Sequence, residues 1–407
     1  MRRALVLLVL LGACEPDFIE AWEVTKPRQM VAKLSIDGDT EGRTRPRPGE
    51  TFSLRFYLMS PSQPRAVINA GMELCLGTVL GNGSLACLQQ IPSDQVSLEI
   101  APYEGDDQIL VRNVTVPALL DDLPPPFDQL DRLGLFGAMC VDGDVERVPG
   151  KDATRDATNS IFRCVNNKDA RYPLPLPFTM AIFLDRDGPG SVNHNPSFAC
   201  DEADPTSICN VGVETDREQV PGAFVIERPQ EEAGAGPRTL AWPAWDESQP
   251  LPWDNCVDAD LPKVHAGSKE HKLRVRFDPS DREVFERNLL VNGKPKVENR
   301  REELIVAHAL TTEGGELDGF NSAVLYSDSD ENAEIEVEYL PPRQSKEEKK
   351  RIPDTGRLVR FYFALRDRRS GTDFTTRELC LLPPTSQSTP QTRELTSQAR
   401  PRRAGGR

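Results

Sequence analysis

The sequence predicts an all-β protein of two sandwich domains, or three if the first divides near residue 130, joined by a proline- and tryptophan-rich linker. Three observations carry that expectation. Apolar and polar residues alternate with period two in segment after segment, as they do in strands buried on one face. Proline contributes 35 of 407 residues while 38% of the chain is hydrophobic, and proline removes a helix donor and clashes one turn back. No stretch carries a capped apolar repeat of helical period longer than about three turns.

The first region, 29–228, opens with a strand over Met30 to Ile36, with Ala32, Leu34 and Ile36 on one face. In "PGETFSLRFYLMSP", Phe52, Leu54, Phe56 and Leu58 share one face, and Thr51, Ser53, Arg55 and Tyr57 the other. Further strands are expected at Met72–Leu76, Val96–Ile100, Ile109–Val116 and Leu133–Val141, and in "PFTMAIFLDRDG". Turn signals such as Gly-Asn-Gly separate them. Residues 229–254 are rich in Pro, Gly, Ala and Glu and read as the linker. The second module, 255–383, sets Leu273, Val275 and Phe277 against a basic row, Lys272, Arg274 and Arg276. It likewise sets Ile335, Val337 and Tyr339 against an acidic row, Glu334, Glu336 and Glu338. If these two strands are neighbours, cross-strand ion pairs of roughly 0.2–1 kcal/mol each would support their register. The last strong strand carries Val359, Phe361, Phe363 and Leu365 on one face and returns, after a turn, to Cys380.

The opening "MRRALVLLVLLGACEPDF" is a targeting segment. Arg2 and Arg3 form a positive region, and Ala4 to Ala13 an apolar one too short to span a bilayer, which takes ~20 residues. Leu11-Gly12-Ala13-Cys14 resembles the lipobox of bacterial lipoproteins. The resemblance implies cleavage after Ala13 (residues 1–13 being the signal) and lipid on the Cys14 thiol, palmitate among the acyl chains. Residues 14–28 would then be a lipidated tether, and the protein an outer-membrane one whose membrane contact is its lipid. At ~3.5 Å per residue such a tether reaches about 50 Å.

The formal charge is −15. The signal holds two arginines and the tail after Gln387 five arginines against one glutamate, so the body between them carries −21. That much negative charge repels phosphate backbones, which argues against nucleic-acid partners. The tail itself, 384–407, is basic and of low hydrophobicity, a composition that favours disorder.

Besides Cys14 there are eight cysteines: Cys75, Cys87, Cys140, Cys164, Cys200, Cys209, Cys256 and Cys380. An even number in an exported chain reads as disulfides, although eight cysteines allow 105 connectivities. Short-loop pairing suggests 75–87, 140–164 and 200–209, leaving 256–380. No two show the spacing of a zinc site.

A family resemblance enters at the C-terminal end. "FYFALRDRRSGTDFTTRELCL" resembles the closing hairpin of the immunoglobulin-like and PKD-like sandwiches of bacterial surface lipoproteins, numerous in myxobacteria. There an RD-x-RGG turn joins the last two strands and a late cysteine follows. "VAKLSIDGD" and "RPGETFSLRFYL" are similar to the first two strands of the same modules. This chain has Arg369-Ser370-Gly371 where the family often has two glycines. The resemblance implies immunoglobulin-like domains and, its motifs being structural, no reaction.

Two groups of residues are candidates for binding. Asp185, Asp187, Asn193 and Asn195 cluster oxygen ligands after a strand, and Asp-x-Asp-Gly often begins a calcium loop. The EF-hand register fails here, with Pro189 and Pro196 at its fifth and twelfth positions. Calcium is therefore the one cofactor under consideration, against a solvated turn. Trp242, Trp245 and Trp253, three of four tryptophans, lie in the linker. They read either as an aromatic platform for a glycan or partner, or as rings wedged against a neighbouring domain. The sequence contains no G-x-S-x-G, H-E-x-x-H, P-loop or G-x-G-x-x-G. The expectation is a non-enzymatic, membrane-anchored envelope lipoprotein that serves as scaffold, adhesin or binder of an envelope protein. A carbohydrate- or peptidoglycan-binding module and a calcium-dependent adhesin are the alternatives.

Overall fold

A computed structural model describes the chain from Trp22 to Pro384. Outside the described residues lie 1–21, 62–67, 80–84, 92–97, 103–107, 119–131, 167–173, 186–192, 199–212, 215–218, 221–223, 230–238, 243–252, 278–280, 292–293, 312, 325–333, 348–350, 368 and 385–407.

In chain order the strands begin with β1 (Glu23–Val24), β2 (Arg28–Ile36), β3 (Thr51–Met59), β4 (Ile68–Val79), β5 (Leu85–Gln90), β6 (Glu99–Pro102), β7 (Gln108–Thr115), β8 (Arg132–Val141) and β9 (Asp144–Arg147). A single helical turn, α1 (Thr158–Ile161), leads into β10 (Phe162–Val165) and β11 (Leu176–Phe183). Then come β12 (Val213–Glu214), β13 (Gln219–Val220), β14 (Phe224–Glu227), β15 (Thr239–Ala241), β16 (Lys263–His265), β17 (His271–Arg276), β18 (Val284–Val291) and β19 (Lys294–Arg301). The last are β20 (Leu304–Thr311), β21 (Glu316–Leu317), β22 (Asn321–Val324), β23 (Glu334–Leu340), β24 (Arg357–Arg366) and β25 (Thr372–Leu382).

The first sandwich faces the sheet β2-β3-β7-β6 with the sheet β11-β8-β4-β5. Its core takes alternate residues from both: Leu34, Phe52, Leu54 and Phe56 from one, Leu74, Leu133, Leu135 and Phe178 from the other. Period two is thus obeyed, and each such side chain contributes ~1.5–3 kcal/mol by leaving water. Gly137 is a glycine because Phe178 lies directly across the ladder. A Cβ on Gly137 would stand 2.3 Å from that ring and 2.7 Å from the Gly71 carbonyl.

The second sandwich faces β1-β20-β24-β25-β16, with β22 beside β20, against β15-β14-β17-β23-β21. Val359, Phe361, Phe363 and Leu365 meet Leu273, Val275, Val337 and Tyr339 in its core. β17 and β23 are antiparallel neighbours, Arg274 opposite Glu336, so the basic and acidic rows form one outer surface. Lys272 reaches Glu336 at 2.5 Å, and Arg274 reaches Glu227 at 3.1 Å and Glu334 at 3.4 Å.

Three expectations about organisation are corrected. No division occurs at 130: β8 lies in mid-sheet, paired along Leu133–Val141 with β4, so it belongs to the first core. Residues 14–28 do not all stand apart from the fold, because β1 pairs in parallel with β20, Glu23 opposite Leu310. The boundary at 228 and the linker at 229–254 also move. β14 pairs with β17 and β15 with β14, so both belong to the second sandwich. β14 is a short wholly apolar run, Phe224-Val225-Ile226, buried on both faces, which alternation does not reveal. β15 has three residues, too few to display a period.

Candidate functional site

The sandwiches pack back to back. The outer face of β2 and β3 presents Val31, Tyr57 and Met59 to Ala307, Ala309, Tyr362 and Ala364 on the outer face of β20 and β24. Three alanines let the sheets approach closely. Tyr57 stacks on Phe374 with centroids 4.3 Å apart. The buried Tyr362 hydroxyl accepts from Ser60 N at 3.1 Å and donates to Ser60 O at 2.8 Å. On the rim, Lys33 pairs with Asp373 at 2.9 Å.

At the tip of the β24–β25 hairpin the contact turns polar. Asp367 accepts from Arg369 N at 2.7 Å and Gly371 N at 2.8 Å through Oδ1, and from Asn193 Nδ2 at 2.9 Å through Oδ2. Asn193 also donates to Thr44 Oγ1 at 2.8 Å, and its carbonyl takes Thr44 N at 2.8 Å. Asn195 spans the domains, donating to Leu34 O at 3.0 Å and accepting from Thr372 N at 2.9 Å. The next two residues run into the second sandwich, Ser197 N on Asp281 and Phe198 N on Asp373, each at 2.8 Å.

Arg369 is the centre of the cluster. Its carbonyl receives Arg45 Nε at 3.0 Å and Nη2 at 2.9 Å from the first sandwich. Its guanidinium binds Glu302 at 2.7 Å and Glu283 at 3.5 Å in the second, and lies 4.7 Å from the Phe285 ring centroid. His194 closes the group through Nδ1 on Glu283. Burial, reinforced by Asp367, pushes the Glu302 carboxyl up to about 8 despite Arg369. Burial also raises Asp367, against the pull of its donors. The Asp367 carboxylate adds to the burial of Glu302, as a like charge does when both are withdrawn from water.

The residues singled out from the sequence fall as follows. Asp185 pairs with Arg47 at 2.9 Å, Asn195 uses both ends of its amide in the junction, and Asn193 uses its Nδ2 there while its buried Oδ1 has no partner among the described residues. Asp187 lies outside the described residues. Among the described residues no three His, Cys, Asp or Glu stand close enough to hold a metal. Of the residues chosen for calcium, Asn193 and Asn195 meet at the junction, while Asp185 is taken by Arg47. Trp242 is 2% exposed. It donates from Nε1 to Glu378 O at 2.8 Å and packs edge-on against Phe361 and Phe363. That removes it from an exposed platform: it is a wedge in the second core. Trp253 is partly buried, its ring 6.0 Å from the Arg360 guanidinium, and Trp245 lies outside the described residues.

Cys75–Cys87, Cys140–Cys164 and Cys256–Cys380 are bonded, with Cα separations of 5.8, 5.5 and 5.6 Å. Cys14, Cys200 and Cys209 lie outside the described residues. Ser268 and His271 come within 3.1 Å, but the hydroxyl donates to His265 O at 2.7 Å. Burial depresses the His271 ring to about 4, and among the described residues its Nδ1 has no partner. Among the described residues no carboxylate is bonded to His271 to orient it as a catalytic triad histidine is oriented.

What the fold and site define is an all-β protein of two disulfide-bonded sandwiches locked by a buried polar junction. No protein-family model matches the chain, and no curated protein sequence does. Among solved structures, the Yersinia pseudotuberculosis adhesin InvE is similar over 86% of this chain and 58% of its own, at 8% identity and a TM-score of 0.18. The CupB6 tip adhesin from Pseudomonas aeruginosa is similar over 88% and 98%, at 8% identity and a TM-score of 0.16. The chain thus spans little more than half of InvE, and likenesses this weak carry no argument.

Proposed function

We propose that this protein is a lipoprotein anchored to the bacterial outer membrane through Cys14, whose two immunoglobulin-like sandwiches form a stiff, non-catalytic scaffold that holds a binding or adhesive surface toward an envelope partner. It would belong with the surface lipoproteins that its closing hairpin resembles. The observation that carries the reading is the back-to-back junction. A scaffold or adhesin must keep a fixed geometry, and here Tyr362, Asn193, Asn195 and Arg369 all tie one sandwich to the other. Three disulfides suit an oxidising compartment. Among the described residues no helix is long and apolar enough to cross a membrane, in keeping with a lipid as the anchor. The burial of Trp242 weighs against the glycan alternative, and the use of Asp185 by Arg47 and of Asn195 Oδ1 by Thr372 N weighs against the calcium one.

Intact-mass analysis of the protein purified from its native membrane tests the anchor. The expected product starts at Cys14 and carries acyl chains; an unmodified thiol or another start overturns it. Proximity labelling from the same protein should mark a small, reproducible set of envelope proteins.

A further inference from the structure

The geometry points to the end of the second sandwich around Trp22 as the face that rests on the lipid bilayer. This rests on the lipid anchor proposed above, and it names which part of the molecule the anchor brings down. Intuition would place the first sandwich nearest the membrane, since it follows the N-terminus. The strand pairing says otherwise. Before the chain enters the first sandwich at Arg28, β1 is already bound to β20 of the second. Leu310 N donates to Trp22 O at 2.9 Å, and Val24 is fully buried against Met59, Ala309 and Tyr362. Only seven residues, eight steps of the chain, separate Cys14 from Trp22. Fully extended they span at most ~28 Å, about one hydrocarbon-core thickness. A lipid on Cys14 therefore holds the second sandwich, at this end, against the surface.

The chemistry of this end suits a lipid–water boundary. Trp22 lines an open groove of about 950 Å³ together with Leu340, Pro341 and Pro342. Leu340 is 42% exposed, and Lys269 and Arg343 stand exposed on the same rim. Tryptophan, apolar residues and long cationic side chains concentrate at membrane interfaces. Three glutamates share the rim. Glu313 is paired with Arg357 at 3.0 Å, while Glu23 and Glu316 leave the rim far from polybasic. The contact is therefore interfacial and apolar, and does not require anionic lipid.

The test uses the full lipidated protein in protein-free phosphatidylcholine vesicles, with single nitroxide labels at Leu340→Cys or Glu41→Cys. Glu41 is exposed and lies beyond the far end of β2, whose Leu34 reaches Asn195 beside the β24–β25 tip, a full strand length from the groove. Expected is several-fold shielding of the 340 label from a water-soluble relaxation agent and none at 41. Equal accessibility at both sites overturns the proposal. So does a 340 label shielded in native membranes but not in these vesicles, because the cover is then a protein. Mass analysis of the same preparation reads the anchor independently, so loss of the anchor and loss of this orientation are distinguished.

Discussion

Arg369 and Glu302 form a 2.7 Å ion pair in which the arginine side chain is 11% and the glutamate 2% exposed, where hairpin tip, interdomain segment and second sandwich meet. Arg369 reaches toward the second sandwich with its side chain and toward the first with its carbonyl. Arg369 therefore joins the Glu302 carboxyl and the Arg45 guanidinium through one residue.

Stability should fall with rising pH through this site. Glu302 holds its proton more tightly folded, at about 8, than at its ordinary 4.5. Its contribution is therefore complete below pH 4.5 and is lost as pH rises toward 8, with a slope of at most ~1.4 kcal/mol per unit. The buried His271 acts oppositely: depressed to about 4 from 6.5, it costs stability only as pH falls below 6.5. Glu302→Gln should flatten the limb above pH 6.5 in urea unfolding series; an unchanged limb would assign the slope elsewhere.

Ser370→Gly should stabilise the protein. Ser370 sits at φ 114°, a backbone region that costs a non-glycine residue ~1–3 kcal/mol, and its buried hydroxyl has no partner among the described residues. Allowing for the entropy of a new glycine, a gain of about 1 kcal/mol is expected. Gly371→Ala should do the reverse by ~1–3 kcal/mol, because its Cβ would meet Asp367 Oδ2 at 2.2 Å and His194 O at 2.4 Å. Chemical denaturation of the two variants reads both signs.

Ala364→Arg should part the sandwiches without dissolving either. Ala364 is fully buried on the outer face of β24, whereas the inner core residues Phe363 and Leu365 are untouched. A guanidinium there has no partner and must reach water. Small-angle scattering should show a larger radius of gyration, and calorimetry should split one transition into two. A compact variant with a single transition refutes the closed interface.

Trp242→Ala should behave as a core deletion. Loss of a fully buried indole wedged among Phe224, Phe361 and Phe363 costs ~3–5 kcal/mol, read as a lowered melting temperature.

Local periodicity was enough to read the strands that line the two cores with alternating residues, though not β5, β9, β10, β18 or β19. Leu34, Phe52, Phe56, Val275, Val337 and Phe361 all point inward as their alternation requires, because a strand's two faces are written in the residue order itself. The short-range cysteine pairs 75–87 and 140–164 were legible for a similar reason: chain neighbours need little loop closure. What alternation cannot encode is which sheet a two- or three-residue segment joins. The positions of β1 and β15, and the burial of Trp242, were decided by apolar surface that exists only once β20, β14 and the second core are in place. The junction is of the same kind. Asn193 and Asn195 stand out in the sequence as oxygen ligands, but their partners Asp367, Thr372 and Leu34 lie more than 150 residues away. Only the closed tertiary structure, by excluding water from those groups, determines that they bind one another.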